Sequence, residues 1–197
     1  MKLLVATTNR HKIREIRPVL AHLPVELLTL ADVAAIPEPP ETGATFRENA
    51  RQKALAYASA SGMLVVAEDS GLEVAALDGA PGVHSARFLG PDASYPQRFA
   101  EIYRRLAMLS GGSRDARFVT ALAVARAETI LFETEAWIDG EIASGPAGER
   151  GFGYDPIFFY PPLEKTTGEL TLDEKTAVSH RARAFRDFAG WVKHVVE

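Results

Sequence analysis

The 197-residue chain contains 22 basic and 26 acidic residues, for a formal net charge of −4, and 47% of its residues are hydrophobic. Its length suffices for one domain with a sizeable core, and it lacks the overall positive charge that favours binding to a nucleic-acid polymer. Cysteine is absent, which excludes disulfides, thiol nucleophiles and thiolate metal sites. No apolar run approaches the roughly 20 residues that cross a bilayer, and the apolar start is too short for a secretory signal, so we expect a cytoplasmic protein without membrane contact.

The chain begins with a predicted strand, a polar turn and a helix. Residues 3–6 are apolar and predict a strand, after which Asn9 is placed to cap a helix with one apolar face. Pro18 lies inside this helical pattern and predicts a kink or an early end. A second strand is predicted at residues 25–30.

The turn before this helix has the composition of a phosphate site. Thr7, Thr8 and Asn9 provide hydroxyls, an amide and backbone N–H groups at a helix N-terminus, and Lys12 follows one turn later. The segment lacks the spacing of a P-loop, so an ordinary capped helix with a solvated lysine is the alternative.

A long helix is predicted in the second quarter of the chain. Thr45 and Glu48 have the spacing of a capping box, which predicts a helix that extends to about Ser61. Within it, Asn49 and Lys53 are four residues apart and therefore share a face.

Two acidic segments suit a divalent cation. Glu41 lies in the loop before the long helix, where a carboxylate is available to a metal. Residues 64–67 predict a strand, and we expect Glu68, Asp69 and Ser70 in a tight turn after it. Carboxylates so placed are typical ligands of Mg²⁺, which requires oxygen donors. Each segment taken alone also fits a solvated polar loop.

The second half of the chain predicts a mixed sheet. Residues 94–109 have the spacing of an amphipathic helix, with Leu109 among its core residues. Residues 116–125 and 129–138 are rich in Val, Ile, Phe and Thr and predict an antiparallel hairpin. A hairpin added to the strand–helix units of the first half implies an α/β fold with a mixed β-sheet flanked by helices, rather than a doubly wound parallel sheet.

A glycine-rich segment at residues 145–156 predicts a site for a flat ligand. Its glycines allow the backbone to approach a ligand closely, and Phe152, Gly153, Tyr154 and Asp155 add rings for stacking and a carboxylate. The glycine spacing is not that of a dinucleotide site. A tight loop before the next strand is the alternative.

The last segment places cations at an unfavourable position. Thr171 and Glu174 form a second capping-box pattern, and Lys175 follows. His180 and Arg181 open the final helix, although the helix dipole disfavours positive charge at an N-terminus. Something must offset this cost, and an anionic or electron-rich ligand is one candidate.

Together these segments resemble the Ham1/RdgB family of inosine and xanthosine triphosphate pyrophosphatases. Bacterial members usually have Asp-Asp-Ser-Gly where this chain has Glu68-Asp69-Ser70-Gly71, so the role of Glu68 stays open. The similar motifs occur in the family's order and are Thr7-Thr8-Asn9 with Lys12, Glu41-Thr42-Gly43 with Asn49 and Lys53, Asp69-Ser70-Gly71-Leu72, Ser85-Ala86-Arg87, Gly151 to Pro156, and Glu174-Lys175 with Ser179-His180-Arg181.

The resemblance implies a single two-lobed domain with its active site in the cleft between the lobes. It implies hydrolysis of a nucleoside triphosphate between the α and β phosphorus atoms, with Mg²⁺ held by Glu41 and Asp69. Asp69 would also orient or deprotonate the attacking water, with Glu68 as the second candidate base. Lys53 would be the other catalytic residue, since it offsets phosphate charge.

The resemblance also assigns the substrate contacts. The purine would stack on Phe152 within the segment 152–155, and its 6-oxo group would accept hydrogen bonds from the cations of the last segment.

The family is homodimeric, which we expect here too. A Maf-like pyrophosphatase for other modified nucleotides and a non-catalytic nucleotide-binding module are the alternatives. The phosphate contacts implied are Thr7, Thr8, Asn9, Lys12 and Ser70, and the base contacts are Phe152, Gly153, Tyr154, Asp155, Lys175, His180 and Arg181.

Overall fold

A mixed sheet organises the protein. The computed structural model describes residues 2–109 and 111–196, the last two by their backbone alone. Within these residues seven strands lie in the order β2-β1-β3-β4-β5-β6-β7. Strand β1 pairs in parallel with β2 and β3, whereas β6 is antiparallel to β5 and β7, so the predicted mixed sheet is confirmed. The strands are β1 (Lys2–Val5), β2 (Glu26–Thr29), β3 (Leu64–Val74), β4 (Asp115–Arg126), β5 (Thr129–Ile142), β6 (Phe158–Tyr160) and β7 (Lys165–Thr166).

Helices flank this sheet, in agreement with the predicted α/β class. In the part of the chain that the structure describes, none of them is long and apolar enough to span a membrane. The α-helices are α1 (Arg10–Leu20), α2 (Phe46–Ser61), α3 (Tyr95–Ala107), α4 (Leu172–Val178) and α5 (His180–Val196).

The chain forms two compact units, each with a core of its own. Unit 1 comprises Met1–Asp69, Thr120–Ala136 and Ser179–Glu197, and unit 2 comprises Ser70–Val119 and Trp137–Val178. In unit 1, side chains of β1 and β3 pack with those of α1 and α5. In unit 2, side chains of α3 pack with those of β4 and β6.

Local sequence signals explain where the helices begin. The α1 helix starts directly after its predicted cap, Asn9. At α2, Thr45 Oγ1 accepts a hydrogen bond from the backbone N–H of Glu48, and the Glu48 carboxylate accepts one from the backbone N–H of Thr45. Thr171 and Glu174 exchange the same pair of bonds before α4. Both capping boxes are therefore confirmed.

Strand β3 is longer than the sequence predicted. We expected a tight turn at residues 68–70, but the strand continues without interruption to Val74. Leu72 and Val74 are fully buried, so the apolar pattern of a strand resumes after the acidic residues. The two carboxylates are tolerated within the strand because Lys12 and Lys53 pair with them.

Two helix ends refine the predicted boundaries. Helix α3 ends at Ala107, and Leu109, which lies beyond it, is 41% exposed. The prediction that Leu109 belongs to the core was therefore wrong. Pro18 lies inside α1, and the helix ends shortly afterwards at Leu20, as the proline predicted.

Replacement of Gly148 by alanine should destabilise unit 2. Gly148 has a φ of +81°, and a Cβ atom there would lie 2.1 Å from the carbonyl carbon of Gly168. We expect Gly148→Ala to lower the free energy of unfolding by about 2 kcal/mol or more, because the left-handed backbone and the overlap both oppose a side chain. Urea denaturation measures this change.

Gly145→Ala is the matched control, since a Cβ atom at Gly145 meets nothing within 4 Å. It should change the free energy of unfolding by less than about 0.5 kcal/mol. Equal denaturation midpoints for the two variants would contradict the prediction.

Candidate functional site

Lys53 of α2 lies between two carboxylates of unit 1. Its Nζ atom is 2.8 Å from Glu41 Oε1 and 3.3 Å from Asp69 Oδ1. Asn49, one turn earlier on α2, donates from Nδ2 to Asp69 Oδ2 at 2.9 Å and accepts at Oδ1 from the backbone N–H of Gly43. The predicted polar face of α2 therefore meets both predicted metal ligands, and the orientation of the Asp69 carboxylate is fixed at both oxygens.

The surroundings of Asp69 make it a stronger base than an ordinary aspartate. Burial raises the pKa of the Asp69 carboxyl, Lys53 opposes this shift, and Glu41 adds to it. Burial lowers the pKa of Lys53, but Asp69 and Glu41 outweigh this effect, so the pKa of the ammonium is raised. Lys53 is therefore a cation at neutral pH, and Asp69 has the enhanced basicity that is typical of a proton acceptor.

Glu68 belongs to a separate cluster on the other face of β3. Successive residues of a strand point to opposite faces, and Glu68 shares the face of Leu64 and Val66, which pack with α1 and α5. Glu68 Oε1 lies 2.8 Å from Lys12 Nζ on α1 and 3.3 Å from Arg181 Nε on α5.

Glu15 completes this cluster, which we name the Arg181 cluster: Lys12, Glu15, Glu68 and Arg181. Glu15 Oε2 lies 2.5 Å from Arg181 Nη1, and both residues are buried. The sequence suggested a ligand as one candidate to offset the positive charge of Arg181 at the start of α5, but carboxylates of the protein itself pair with this charge. Sequence reasoning missed Glu15. Its signal was an acid on the buried side of α1, where an unpaired carboxylate is unfavourable.

The Arg181 cluster makes Glu68 a poor proton acceptor. Burial alone would raise the pKa of Glu68, but Arg181 and Lys12 outweigh it and hold the pKa well below its ordinary value. Burial lowers the pKa of Lys12 in spite of the nearby Glu68 carboxylate. Glu68 therefore stays ionised throughout the neutral range, and between the two candidate bases the electrostatics favour Asp69.

The carboxylates of unit 1 have the chemistry that Mg²⁺ requires. Glu41 and Asp69 offer oxygen donors, and Glu68 Oε2 is buried without a hydrogen-bond partner in the described structure. The described residues contain no group of three or more His, Cys, Asp or Glu side chains arranged for a metal. Mg²⁺ is commonly bound by one or two carboxylates together with substrate phosphates, so two protein ligands fit this ion.

The turn before α1 is held by its own side chains. Asn9 Oδ1 accepts hydrogen bonds from the backbone N–H groups of His11 and Lys12, at 2.9 and 3.3 Å. Thr7 Oγ1 accepts from the backbone N–H of Asn9, and the Thr8 side chain is exposed. Four of the five residues predicted to bind phosphate are thus adjacent at one helix N-terminus, whereas Ser70 lies in β3, and their contact with phosphate stays a prediction.

In unit 2, the Asp155 carboxylate is bonded to three donors of the protein. Its Oδ2 atom accepts from the backbone N–H of Phe152 at 2.7 Å and from Lys175 Nζ at 2.5 Å. Its Oδ1 atom accepts from Thr167 Oγ1 at 2.8 Å. Lys175 Nζ lies 5.2 Å from the centre of the Phe152 ring. Three residues predicted to contact the purine, Phe152, Asp155 and Lys175, are therefore brought together. Thr167, which no sequence motif indicated, joins them.

Glycine is required beside this carboxylate. Gly151 has a φ of +76°, and a Cβ atom there would lie 2.1 Å from Asp155 Oδ2. Gly153 also has a positive φ, of +65°. These conformations allow the loop to fold tightly around Asp155.

The remaining predicted contacts differ in their burial. Tyr154 is 4% exposed, donates its hydroxyl to Ser85 O and packs edge-on against Tyr95, and burial raises the pKa of its phenol. His180 is buried at the start of α5, and Ser70 is half-buried in β3. Contacts of these side chains with substrate stay predictions.

Comparison with known proteins agrees with the motif-based resemblance. The model of the Ham1 family matches residues 3–191. The chain belongs to the Ham1 family. Curated dITP/XTP pyrophosphatases from Syntrophobacter fumaroxidans and an Exiguobacterium species are 51% and 47% identical to this Ham1-family chain, over 92% and 94% of it and 78% and 94% of their own lengths. A solved HAM1 protein from Coxiella burnetii has a TM-score of 0.91 and 34% identity, covering 98% of this chain and 99% of that one.

Removal of Arg181 should destabilise this Ham1-family protein strongly. Arg181→Met removes the cation that pairs with both buried carboxylates, Glu15 and Glu68. We expect the free energy of unfolding to fall by about 3–5 kcal/mol, because an uncompensated buried charge is costly. Arg104→Met is the control, since Arg104 pairs with Glu101 on the surface of α3 and its loss should have no measurable effect. Similar losses in both variants would contradict the prediction.

The same variant should alter the acid side of the stability profile. The pKa of Glu68 is lower in the folded than in the unfolded protein, so this carboxylate stabilises the fold above its ordinary pKa and loses that effect as the pH falls towards the folded value. The free energy of unfolding of the wild type should therefore decrease below about pH 5, and less steeply in Arg181→Met. Urea denaturation at a series of acid pH values measures the slope for each protein. Identical slopes would refute the conclusion that Arg181 lowers the pKa of Glu68 in the folded protein.

Proposed function

We propose that the protein is a nucleoside triphosphate pyrophosphatase that hydrolyses the non-canonical purine nucleotides ITP, dITP and XTP to the monophosphate and pyrophosphate. The observation that supports this most directly is the arrangement of Glu41, Lys53 and Asp69. The buried ammonium of Lys53 pairs with the Asp69 carboxylate, the proposed proton acceptor, and with the Glu41 carboxylate, the second proposed metal ligand. Relatives about half identical over most of the chain are named dITP/XTP pyrophosphatases.

In this proposal the carboxylates and lysines of unit 1 perform the chemistry. Glu41 and Asp69 would hold Mg²⁺, which would neutralise charge that develops on the phosphates. Asp69 orients the attacking water and accepts its proton while the water oxygen bonds to the α phosphorus. The bond from the α phosphorus to the bridging oxygen breaks, pyrophosphate leaves and the nucleoside monophosphate remains. Lys53 and Lys12 offset the remaining phosphate charge, together with the hydroxyls and N–H groups of the turn before α1 and Ser70.

The role of Asp69 as both ligand and base requires a compensating effect, because a bound cation lowers the basicity of a carboxylate. Burial and Glu41 raise the pKa of Asp69, which acts in the opposite direction. Asn49 fixes Oδ2, so the orientation of the carboxylate does not depend on the cation.

Recognition of the purine is assigned to the glycine-rich loop and to the segment from Lys175 to Arg181. Phe152 stacks on the purine, and Lys175 and His180 donate to its 6-oxo group. Arg181, whose Nη1 and Nε atoms are bonded to Glu15 and Glu68, is the third donor that the resemblance assigns. Adenine presents an amino group there, and two facing donors leave buried groups unpaired at a cost of about 1–3 kcal/mol each. Guanine shares the 6-oxo group, so GTP must be rejected at its 2-amino group. The homodimer implied by the family and the cytoplasmic location expected from the sequence remain part of this proposal.

The decisive experiment is pyrophosphate release from ITP, XTP, GTP, ATP and dTTP with Mg²⁺, for the wild type and Asp69→Asn. We expect ITP and XTP to be hydrolysed about 10²-fold more efficiently than the others, and Asp69→Asn to lower kcat about 10²- to 10⁴-fold. Glu101→Gln is the control, because it makes the same acid-to-amide change on the surface of α3 and should leave kcat unchanged.

Each alternative outcome has a distinct meaning. Equal turnover of GTP and ITP would contradict the selectivity and leave the chemistry intact. Preference for dTTP would favour a Maf-like pyrophosphatase. Nucleotide binding without turnover, unaffected by Asp69→Asn, would favour a binding module.

A further inference from the structure

We propose that Thr167 is a positioning residue: it fixes the Asp155 carboxylate, and through it the Phe152 loop and Lys175. Neither the motifs nor the proposed function assigns a role to Thr167. The kinetic consequence rests on the proposed function, whereas the structural consequence does not.

The bonds of Asp155 divide between its two oxygens. The Phe152 N–H and Lys175 Nζ both donate to Oδ2, and the Thr167 hydroxyl donates to Oδ1. The terminal torsion of an aspartate is broad and roughly two-fold, so the donors that meet its oxygens set the plane of the carboxylate. A donor on the opposite oxygen narrows this torsion further and keeps Oδ2 directed at both of its partners.

Thr167 is itself well placed to impose this constraint. It is 1% exposed, so water does not compete for its hydroxyl. Its backbone N–H donates to Phe158 O at 2.8 Å, and the N–H of the following Gly168 donates to Asp155 O at 2.9 Å. The β-branched side chain also has few rotamers. The hydroxyl is thus held against Asp155 by the backbone on either side of it.

This arrangement connects Thr167 to ligand binding and not to the reacting atoms. The Phe152 ring and Lys175 Nζ are 5.2 Å apart, and Asp155 Oδ2 bonds both residues. Loss of the Thr167 hydrogen bond would allow the Phe152 ring and the Lys175 ammonium to occupy a wider range of positions. The carboxylates proposed to perform hydrolysis belong to unit 1, so KM should change far more than kcat.

Thr167→Val tests the proposal, since it keeps the shape of the side chain and removes the donor. We expect KM for ITP to rise about tenfold with kcat within about twofold of the wild type. Thr167→Ser, which keeps the hydroxyl, should restore KM. Thr166→Val is the matched control: Thr166 is equally buried and donates to Ala147 O at 2.7 Å, so its loss should lower stability without raising KM.

Hydrogen exchange at the Phe152 amide provides a reading that does not depend on turnover. The Phe152 N–H should exchange faster in Thr167→Val than in the wild type, because its acceptor is no longer fixed, and at the wild-type rate in Thr167→Ser and Thr166→Val. If Thr167→Val does not fold, Thr167→Ala removes the same donor with a smaller side chain.

Several results would overturn the proposal. Unchanged Phe152 exchange in the Thr167 variants would refute the positioning role, and so would an equal effect of Thr166→Val, which would indicate general destabilisation. Faster exchange with an unchanged KM would refute the connection to ligand binding. If the wild type hydrolyses no nucleoside triphosphate, the proposed function fails, and the exchange measurement still decides the role of Thr167.

Discussion

The neutralisation of buried charge is the constraint on which the organisation of unit 1 depends. An ion that leaves water without a partner costs several kcal/mol, so buried charges persist only in pairs with good geometry. Lys53 has Glu41 and Asp69, and Arg181 has Glu15 and Glu68. These pairs hold ionised groups in fixed orientations before any ligand arrives, which is the condition under which electrostatic stabilisation of a charged transition state is most effective.

The sequence predicted those features that local interactions determine. The two capping boxes, the polar face of α2 and the glycine-rich loop depend on residues within a few positions of one another, so their patterns are readable in the chain. The continuation of β3 through Glu68 and Asp69 was not predicted, because isolated acids suggest a turn and the cations that neutralise them lie far away in sequence. Glu15 and Thr167 escaped notice for the same reason: their partners, Arg181 and Asp155, are brought to them only by the fold.

Unit 2 orients the groups of its glycine-rich loop by different means. There a single carboxylate, Asp155, is held by a backbone N–H, a hydroxyl and an ammonium, and the positive φ angles of Gly151 and Gly153 bring the loop around it. The sequence assigned Asp155 to the ligand, and the structure gives it three partners within the protein. A residue that matches a family's binding motif can therefore support the neighbouring contacts even where its own contact with substrate is unproven.

Because successive side chains of β3 point to opposite faces, this strand should not tolerate an inserted or deleted residue before Glu68. Glu68 and Asp69 are neighbours in sequence, yet they belong to separate clusters on opposite faces of one strand. An inserted or deleted residue between Leu64 and Glu68 would exchange the faces of the two carboxylates. Glutamate would then meet the lysine and asparagine of α2, and aspartate the arginine of α5. Length variation in this lineage should accordingly be confined to loops, and a substitution at either position is a smaller disturbance than the gain or loss of a residue before them.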